Sequence, residues 1–213
     1  QKNIVTGLDL EGLLDSGNIT KRRISTLSRS LNPEDRQYAA ELLGNSTESE
    51  NISFLIELLY DLDYKVRMAA IIAAEKNYNE EIIFGLVDSL DHPIFGNKAQ
   101  TTLVKIGGRG LLTLDVAFYR TGQSTEVMKK ILQIYGKVGG NMAIKLLWNK
   151  IDYPDKLLVS EAIISLGDCG FKASISQISR IKFAIENDVE EIAWNLAAST
   201  EVDAVGHGKI LLE

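Results

Sequence analysis

The chain has 213 residues, 45% of them hydrophobic and 24% charged, an ordinary balance for a globular protein with its own core. A formal net charge of −6 argues against a surface built to follow nucleic acid. The single cysteine, Cys169, excludes an internal disulfide and a cysteine-based zinc site. No signal peptide opens the chain and no apolar run approaches the ~18 residues of a membrane span, so we expect a cytoplasmic protein.

The N-terminal region contains a lead-in and the first helices. Residues 1–18 carry a short apolar pattern, which we interpret as a cap or lead-in. A helix is predicted from Ile19 to Ser30, with Asn18 as its capping residue. The next helix starts at Asn32-Pro33-Glu34, where a capping side chain, a proline and a first-turn acid follow in the preferred order.

From there one pattern of small and aliphatic residues repeats about every 31 residues. Its reference positions are Ala39, Ala70, Ala99, Ile131, Ala162 and Ala193. The positions four residues later are Leu43, Ala74, Leu103, Tyr135, Leu166 and Ala197. Glycines that can end helices follow at Gly107, Gly139 and Gly170. A fixed period of this size is typical of a solenoid.

No stretch alternates apolar and polar residues over the length of a strand, so the predicted fold is all-α. We expect one domain over residues 1–213, with about six helix pairs at 19–199 stacked in a right-handed α-α superhelix. Residues 200–213 are predicted to be a C-terminal tail.

Two stretches carry a resemblance to a known family. Residues 63–70 read D-x-x-V-R-x-x-A, and residues 99–107 place Leu103, Ile106 and Gly107 at the end of a second helix. Both are similar to HEAT-like repeats, an armadillo-type solenoid, in the short form first described in phycobilin lyases. The motif arginine is replaced in later copies, by Gly96, Met128, Val159 and Glu190. The resemblance implies a binding scaffold and no chemistry, because a fold is not a function.

Residues that could support catalysis are few. The HEAT-like iron hydroxylases place His-Glu pairs in several repeats, whereas this chain has only His92 and His207 and no such pair. Cys169 falls on the buried stripe of its helix, which indicates a structural thiol. Tyr135, Trp148 and Trp194 are interpreted as core residues rather than the pocket of a DNA glycosylase. We therefore expect no enzyme, no metal and no cofactor.

The motif arginines Arg36 and Arg67 allow two interpretations. They could face a ligand, or they could pair with acids of a neighbouring turn, such as Asp61, Asp63 or Asp91. We expect the second.

Charge is distributed in bands along the chain. Residues 37–95 have a net charge of −8, residues 96–150 of +7 and residues 151–213 of −6. In a solenoid, bands of sequence become bands of surface, so the middle repeats should form a basic belt. Its candidate residues are Lys98, Lys105, Lys130 and Lys137. The belt is either a docking site for an acidic partner or an uneven solvated surface.

A second candidate site follows from helical geometry. At 100° per residue, positions two before and two after each reference position point away from the core. Stacked helices turn these positions into two ladders on the concave surface. The candidate binding residues are Met68, Ile72, Asn97, Thr101, Lys129, Gln133, Ile164 and Asn195. The alternative is plain solvent exposure.

The sequence therefore favours a non-enzymatic scaffold that binds a protein partner, with nucleic acid an unsuitable ligand. The alternative is a cytosolic regulatory domain of a bacterial transporter resembling ADP/ATP translocases. The Gln1 start and the apolar Ile210-Leu211-Leu212 ending motivate it, since both suggest neighbouring segments. A HEAT-like lyase or DNA glycosylase is a further, weaker alternative.

Overall fold

A computed structural model of the protein describes residues 17–45, 51–77 and 79–186, without the side chains of residues 17–21. The lead-in, the tail and the predictions for Asn195, Trp194 and His207 lie outside these residues. The described part contains ten α-helices, a further helical stretch at 175–186 and one 3-10 turn, and it contains no strand. The chain divides into two compact units, residues 1–134 and 135–213.

Unit 1 contains four consecutive helix pairs. Their helices are α1 Gly17–Ser28, α2 Pro33–Leu43, α3 Ile52–Leu59, α4 Tyr64–Ala73, α5 Glu80–Val87, α6 Gly96–Ile106, α7 Leu111–Phe118 and α8 Thr125–Val138. A 3-10 turn, Gly107–Gly110, joins α6 to α7, and the unit boundary falls within α8. Unit 2 contains α9 Gly140–Trp148 and α10 Lys156–Asp168, followed by a helical stretch at 175–186.

Packing within unit 1 is layered. The first helices of the pairs pack on each other, α1 on α3, α3 on α5 and α5 on α7. The second helices form the other layer, in which α4 packs against both α2 and α6. In unit 2, α9 packs against α10. This two-layer stacking of helix pairs is that of an α-solenoid, which confirms the predicted fold class.

The core lies where the repeat predicts it. The five reference positions within the described residues, from Ala39 to Ala162, have no exposed surface. The residues four places later are also buried, with at most 2% of their surface exposed. Each second helix thus has one buried stripe, which neighbouring helix pairs cover. The sequence pattern repeats about every 31 residues because each helix pair contributes one such stripe.

Helix ends follow local chemistry. The Asn32 side chain accepts a hydrogen bond from the Glu34 backbone N–H at 3.1 Å, and Asp63 and Asp155 cap α4 and α10 in the same way. After the second helices, Gly107, Gly139 and Gly170 adopt positive φ angles, as predicted. The prediction for Asn18 is wrong, because α1 begins at Gly17 and Asn18 lies inside it.

Two glycines allow neighbouring second helices to approach closely. A Cβ atom on Gly44 would lie 3.1 Å from the Ala73 Cα, and one on Gly136 would lie 3.0 Å from the Ser165 Cβ. The two pairs occupy the same places in the repeat. A side chain at either glycine would have to push the helices apart.

Candidate functional site

The predicted ladders lie on the side of the second helices that faces away from the buried stripe. Every ladder residue within the described part of the chain is exposed or half-buried. Ile72 on α4 and Ile164 on α10 leave 47% and 60% of their surface exposed. Asn97 and Thr101 are exposed on α6, while Met68, Lys129 and Gln133 are half-buried.

In unit 1 the ladders line a groove between α2 and α4, which we call the α2–α4 groove. It has a volume of about 520 Å³. The lining residues are Gln37, Glu41, Gly44, Asn45, Tyr64, Lys65, Met68, Ala69, Ile72, Ala73, Glu75 and Lys76. The close approach at Gly44 and Ala73 brings the two helices together, and their outward side chains form the walls.

The floor of the groove is apolar and its rim is charged. The apolar surface comes from Met68, Ile72 and the small residues beside them. At the rim, Glu41 accepts a hydrogen bond from the Gln37 side-chain amide at 3.0 Å. Lys76 donates to the Asn45 side chain at 3.4 Å. Apolar surface inside a polar rim is the usual organisation of a protein-binding patch.

Sequence reasoning found four groove residues as positions two before or after a reference alanine, namely Gln37, Glu41, Met68 and Ile72, but missed most of the others. Tyr64 is 57% exposed at the start of α4, and Lys65 and Ala69, four residues apart on the same helix, also line the groove. These positions are not on the ladders, and they join the site because α2 lies close beside α4. The available signal was Gly44, which directly follows α2 and permits that approach.

Further along the same layer, ladder residues contact their own protein. The Gln100 side-chain amide donates to the Gln133 carbonyl at 3.1 Å, which links α6 to α8. The Thr101 hydroxyl donates to the Asn97 backbone carbonyl at 2.8 Å. These ladder side chains already have hydrogen-bond partners within the chain. The apolar ladder residues of unit 1, Met68 and Ile72, both lie on α4.

The four lysines of the predicted belt differ in their surroundings. Lys105 forms an ion pair with Glu75 at 2.7 Å. Lys130 donates to the Leu90 backbone carbonyl at 2.8 Å. Lys98 is half-buried, and Lys137 is exposed in unit 2. Two of the four charges therefore have partners inside the protein, and the belt as a docking surface stays a prediction.

The two motif arginines, Arg36 and Arg67, contact groups of their own chain. Arg36 makes two hydrogen bonds to the Asp61 carboxylate, at 2.7 and 2.9 Å, and one to the Ser30 carbonyl at 2.9 Å. The expected pairing with an acid is thus confirmed for Arg36. It is wrong for Arg67, which donates to the Ser89 hydroxyl at 2.9 Å and lies over the Phe95 ring at 4.7 Å.

The third copy of the repeat replaces the motif arginine in an instructive way. Ser30 and Leu90 occupy equivalent positions, nine residues before their reference alanines. Arg36 satisfies the Ser30 carbonyl, whereas Lys130 from the next repeat satisfies the Leu90 carbonyl. The arginine position of this copy is Gly96, where a Cβ atom would collide with the Leu90 carbonyl oxygen. Lys130 therefore has a structural role. It donates to the Leu90 carbonyl, for which this copy of the repeat has no motif arginine.

A polar chain also links successive first helices of unit 1. The Tyr60 hydroxyl donates to the Asp88 carboxylate at 2.8 Å, and Asp88 pairs with Arg120. Burial, together with the hydrogen bond to Asp88, raises the pKa of Tyr60 to about 12. The hydroxyl therefore remains a proton donor throughout the physiological range.

The cysteine and aromatic residues that the sequence analysis considered for catalysis are packed against other parts of the chain. The Cys169 thiol lies 3.6 Å from the Tyr135 and Gly136 carbonyl oxygens, and burial, then the charge of Asp168, raises its pKa. Tyr135 is fully buried, and Trp148 is half-buried between Phe171 and the Arg180 guanidinium. Among the described residues, no three His, Cys, Asp or Glu side chains are grouped closely enough to hold a metal. None of the helices described is long and apolar enough to cross a membrane.

Comparisons with known proteins give one family match. A family model for HEAT repeats matches residues 20–96. No curated protein sequence matches the chain. Among solved structures, human deoxyhypusine hydroxylase in complex with glycerol is similar over 77% of this chain and 96% of that chain. Its sequence identity is 11% and its TM-score is 0.30, which supports no functional argument.

Proposed function

We propose that this chain, a HEAT-like helical repeat protein by its match over residues 20–96, is a non-enzymatic scaffold that binds another protein. Binding takes place on the outward face of the second helices. The observation that carries the proposal is the α2–α4 groove, which combines an apolar floor, an exposed tyrosine and a charged rim on that face. Exposed apolar residues within a polar rim are typical of protein interfaces.

The residue chemistry supports binding rather than catalysis. Neither histidine of the sequence is followed by glutamate, so the His-Glu pairs of HEAT-like iron hydroxylases have no counterpart here. The Cys169 thiol has a raised pKa, which opposes formation of the nucleophilic thiolate. The transporter-domain alternative stays a prediction.

A ladder variant tests the proposal. Met68→Ser, Ile164→Ser, Lys129→Ala and Gln133→Ala together should remove binding while the melting temperature changes little. Ile164 is exposed and the other three side chains are half-buried outside the buried stripe, and substitutions at such surface positions usually change stability by no more than ~0.5 kcal/mol each. The measurements are thermal melting and affinity capture from an extract of the source cells, with captured proteins identified by mass spectrometry.

The matched control changes similar residues on the first helices: Leu112→Ser, Val116→Ser, Met142→Ser and Lys145→Ala. These four side chains are exposed and lie outside the ladders. We expect the control to retain the partners that the ladder variant loses. A ladder variant that melts like the parent and still captures every partner would show that this face does not bind them.

A further inference from the structure

The outward face of α10, in unit 2, is an exposed stripe of large and small residues. Leu157 and Ile164 leave 70% and 60% of their surface exposed. Ser160 and Gly167 on the same helix are exposed as well. At 100° per residue, all four lie within about 40° of the direction opposite the buried Ala162. The stripe therefore offers apolar surface to a partner outside its own chain.

The two sides of this stripe differ in chemistry. Helical geometry places Leu157, Ile164 and Asp168 on one side. The two small residues share the other side with Lys156. Both charged side chains are exposed, Lys156 in the first turn of α10 and Asp168 in the last. The stripe therefore has an apolar side that ends in a carboxylate and a side of small residues that begins with a lysine.

The two walls of the α2–α4 groove also differ. The α4 wall is apolar at Ile72 and carries an exposed lysine at each end, Lys65 and Lys76. The α2 wall is polar and carries Glu41, and Glu34 is exposed in the first turn of the same helix. A helix that fits both walls has to present apolar groups and an acid to α4, and a base to α2.

The α10 stripe meets these requirements in one of the two directions along the groove. A half-turn about an axis parallel to the helices lays α10 face to face on the groove, running in the same direction as α4. Leu157, Ile164 and Asp168 then lie over the α4 wall. Ile164 and Ile72 are both two residues after their reference alanine, and Asp168 and Lys76 are both six residues after it, so the members of each pair come together.

The opposite direction is unfavourable. An antiparallel α10 exchanges its two sides, which places Asp168 over the acidic α2 wall and Lys156 beside Lys76. Like charges placed next to each other across an interface oppose binding. Charge therefore selects the parallel direction.

We propose that two copies of this chain associate through these surfaces, with α10 of one copy lying along the α2–α4 groove of the other. A twofold axis makes the contact twice, because each copy supplies one α10 and one groove. Self-association does not depend on the scaffold function. It covers the same groove, so a partner protein that binds there competes with the second copy.

Sedimentation velocity of the whole chain over a concentration series tests the proposal. We expect the monomer to be replaced by a species of twice the 23.5 kDa of the chain as the concentration rises. Ile164→Ser should weaken self-association roughly tenfold, since it removes an apolar side chain from both contacts. The matched control is Leu112→Ser on α7, where the side chain is 62% exposed and lies outside both surfaces, and it should associate like the parent.

An exchange of charges tests the pairing of the two helices. Lys76→Asp and Asp168→Lys should each weaken self-association roughly tenfold, because like charges then meet in both contacts. An equimolar mixture of the two variants should associate like the parent. Each contact between the two different chains again joins a lysine to an aspartate, and a folding defect would not be repaired by mixing.

Several results would overturn the inference: a parent that stays monomeric up to about 100 μM, an unaffected Ile164→Ser variant, equal weakening by Leu112→Ser, or a mixture that associates no better than either charge variant alone. If the parent stays monomeric while the ladder variant loses its captured partners, the scaffold function stands and self-association is wrong. If two copies associate but the ladder variant retains every partner, the scaffold proposal fails separately.

Discussion

At the scale of single residues, two carbonyl groups just after first helices, those of Ser30 and Leu90, need a donor, and the repeat supplies it in two ways. Arg36 reaches the Ser30 carbonyl from its own repeat, and its guanidinium also holds Asp61. Lys130 reaches the Leu90 carbonyl from the following repeat. A buried or half-buried carbonyl left without a donor is costly, so both cations contribute to stability.

Replacing Arg36 tests this contribution. Arg36→Met should reduce the free energy of unfolding by about 2 kcal/mol, because it leaves Asp61 without its cation and Ser30 without a donor. The pair is largely buried, with 18% and 10% of the two side chains exposed. The measurement is urea unfolding. Arg29→Met is the control: its ion pair with Glu57 is exposed, so its midpoint should match the parent. Equal losses in the two variants would contradict the argument.

The same pair should make stability depend on pH. Partial burial alone would raise the pKa of Asp61, but hydrogen bonds from Arg36 and the Asp63 backbone outweigh it and lower that pKa below its usual value. A carboxyl with a lowered folded pKa stabilises the protein above its unfolded pKa of ~3.9, and this stability is lost as pH falls through the folded value.

We therefore expect the difference in free energy of unfolding between the parent and Asp61→Asn to be constant above about pH 5 and to close as the pH falls below ~4. Urea unfolding at a series of pH values measures it. A difference that persists unchanged at the lowest pH would mean that the Asp61 charge does not supply the stability.

At the scale of the helix, a substitution to glutamate should destabilise the protein on one face of α10 and leave its stability nearly unchanged on the other. Ala162 has no exposed surface and occupies the buried stripe between Leu158 and Leu166. Ile164, two residues later, is 60% exposed. The difference follows from the 200° that two residues turn around a helix.

Ala162→Glu should therefore cost about 3–5 kcal/mol, since it places an unpaired charge and excess volume in a closed core. Ile164→Glu puts the same side chain on the exposed face and should melt within a few degrees of the parent. Thermal melting followed by circular dichroism compares the two. If Ala162→Glu melts normally, the register of the repeat is wrong, and the ladder positions derived from it are wrong as well.

At the scale of the whole molecule, the bands of charge found in the sequence are modified by internal pairing. Residues 96–150 have a net charge of +7, but Lys105 and Arg120 form ion pairs with Glu75 and Asp88. Lys150, in the same band, is almost completely buried. The cationic surface available to a polyanion is therefore smaller than the sequence count indicates.

Duplex DNA should accordingly bind weakly, with a dissociation constant above roughly 10⁻⁴ M at physiological salt, the weak end of non-specific binding. The net charge of −6 also opposes approach of the phosphate backbone. Fluorescence anisotropy with a labelled duplex measures this, repeated at low salt. Micromolar binding that weakens steeply with salt would instead show that the lysine belt is a continuous surface for polyanions.

The repeat period, the buried stripe, the Asn32 cap and the helix-ending glycines were determined by the sequence alone. They depend on interactions within a few residues along the chain and on the fixed geometry of the helix, which the sequence displays directly. The outward direction of Ile72 and Ile164 follows from the same geometry.

The tertiary structure alone decided which outward residues come together. The α2–α4 groove exists because Gly44 lets two helices approach at Ala73, a contact between residues 29 positions apart. Lys130 finds its carbonyl 40 residues away, and Arg67 meets a serine and a ring where an acid was expected. Such pairings depend on the distance and rotation between packed helices, and these are set by side-chain volumes at the contact rather than by local sequence.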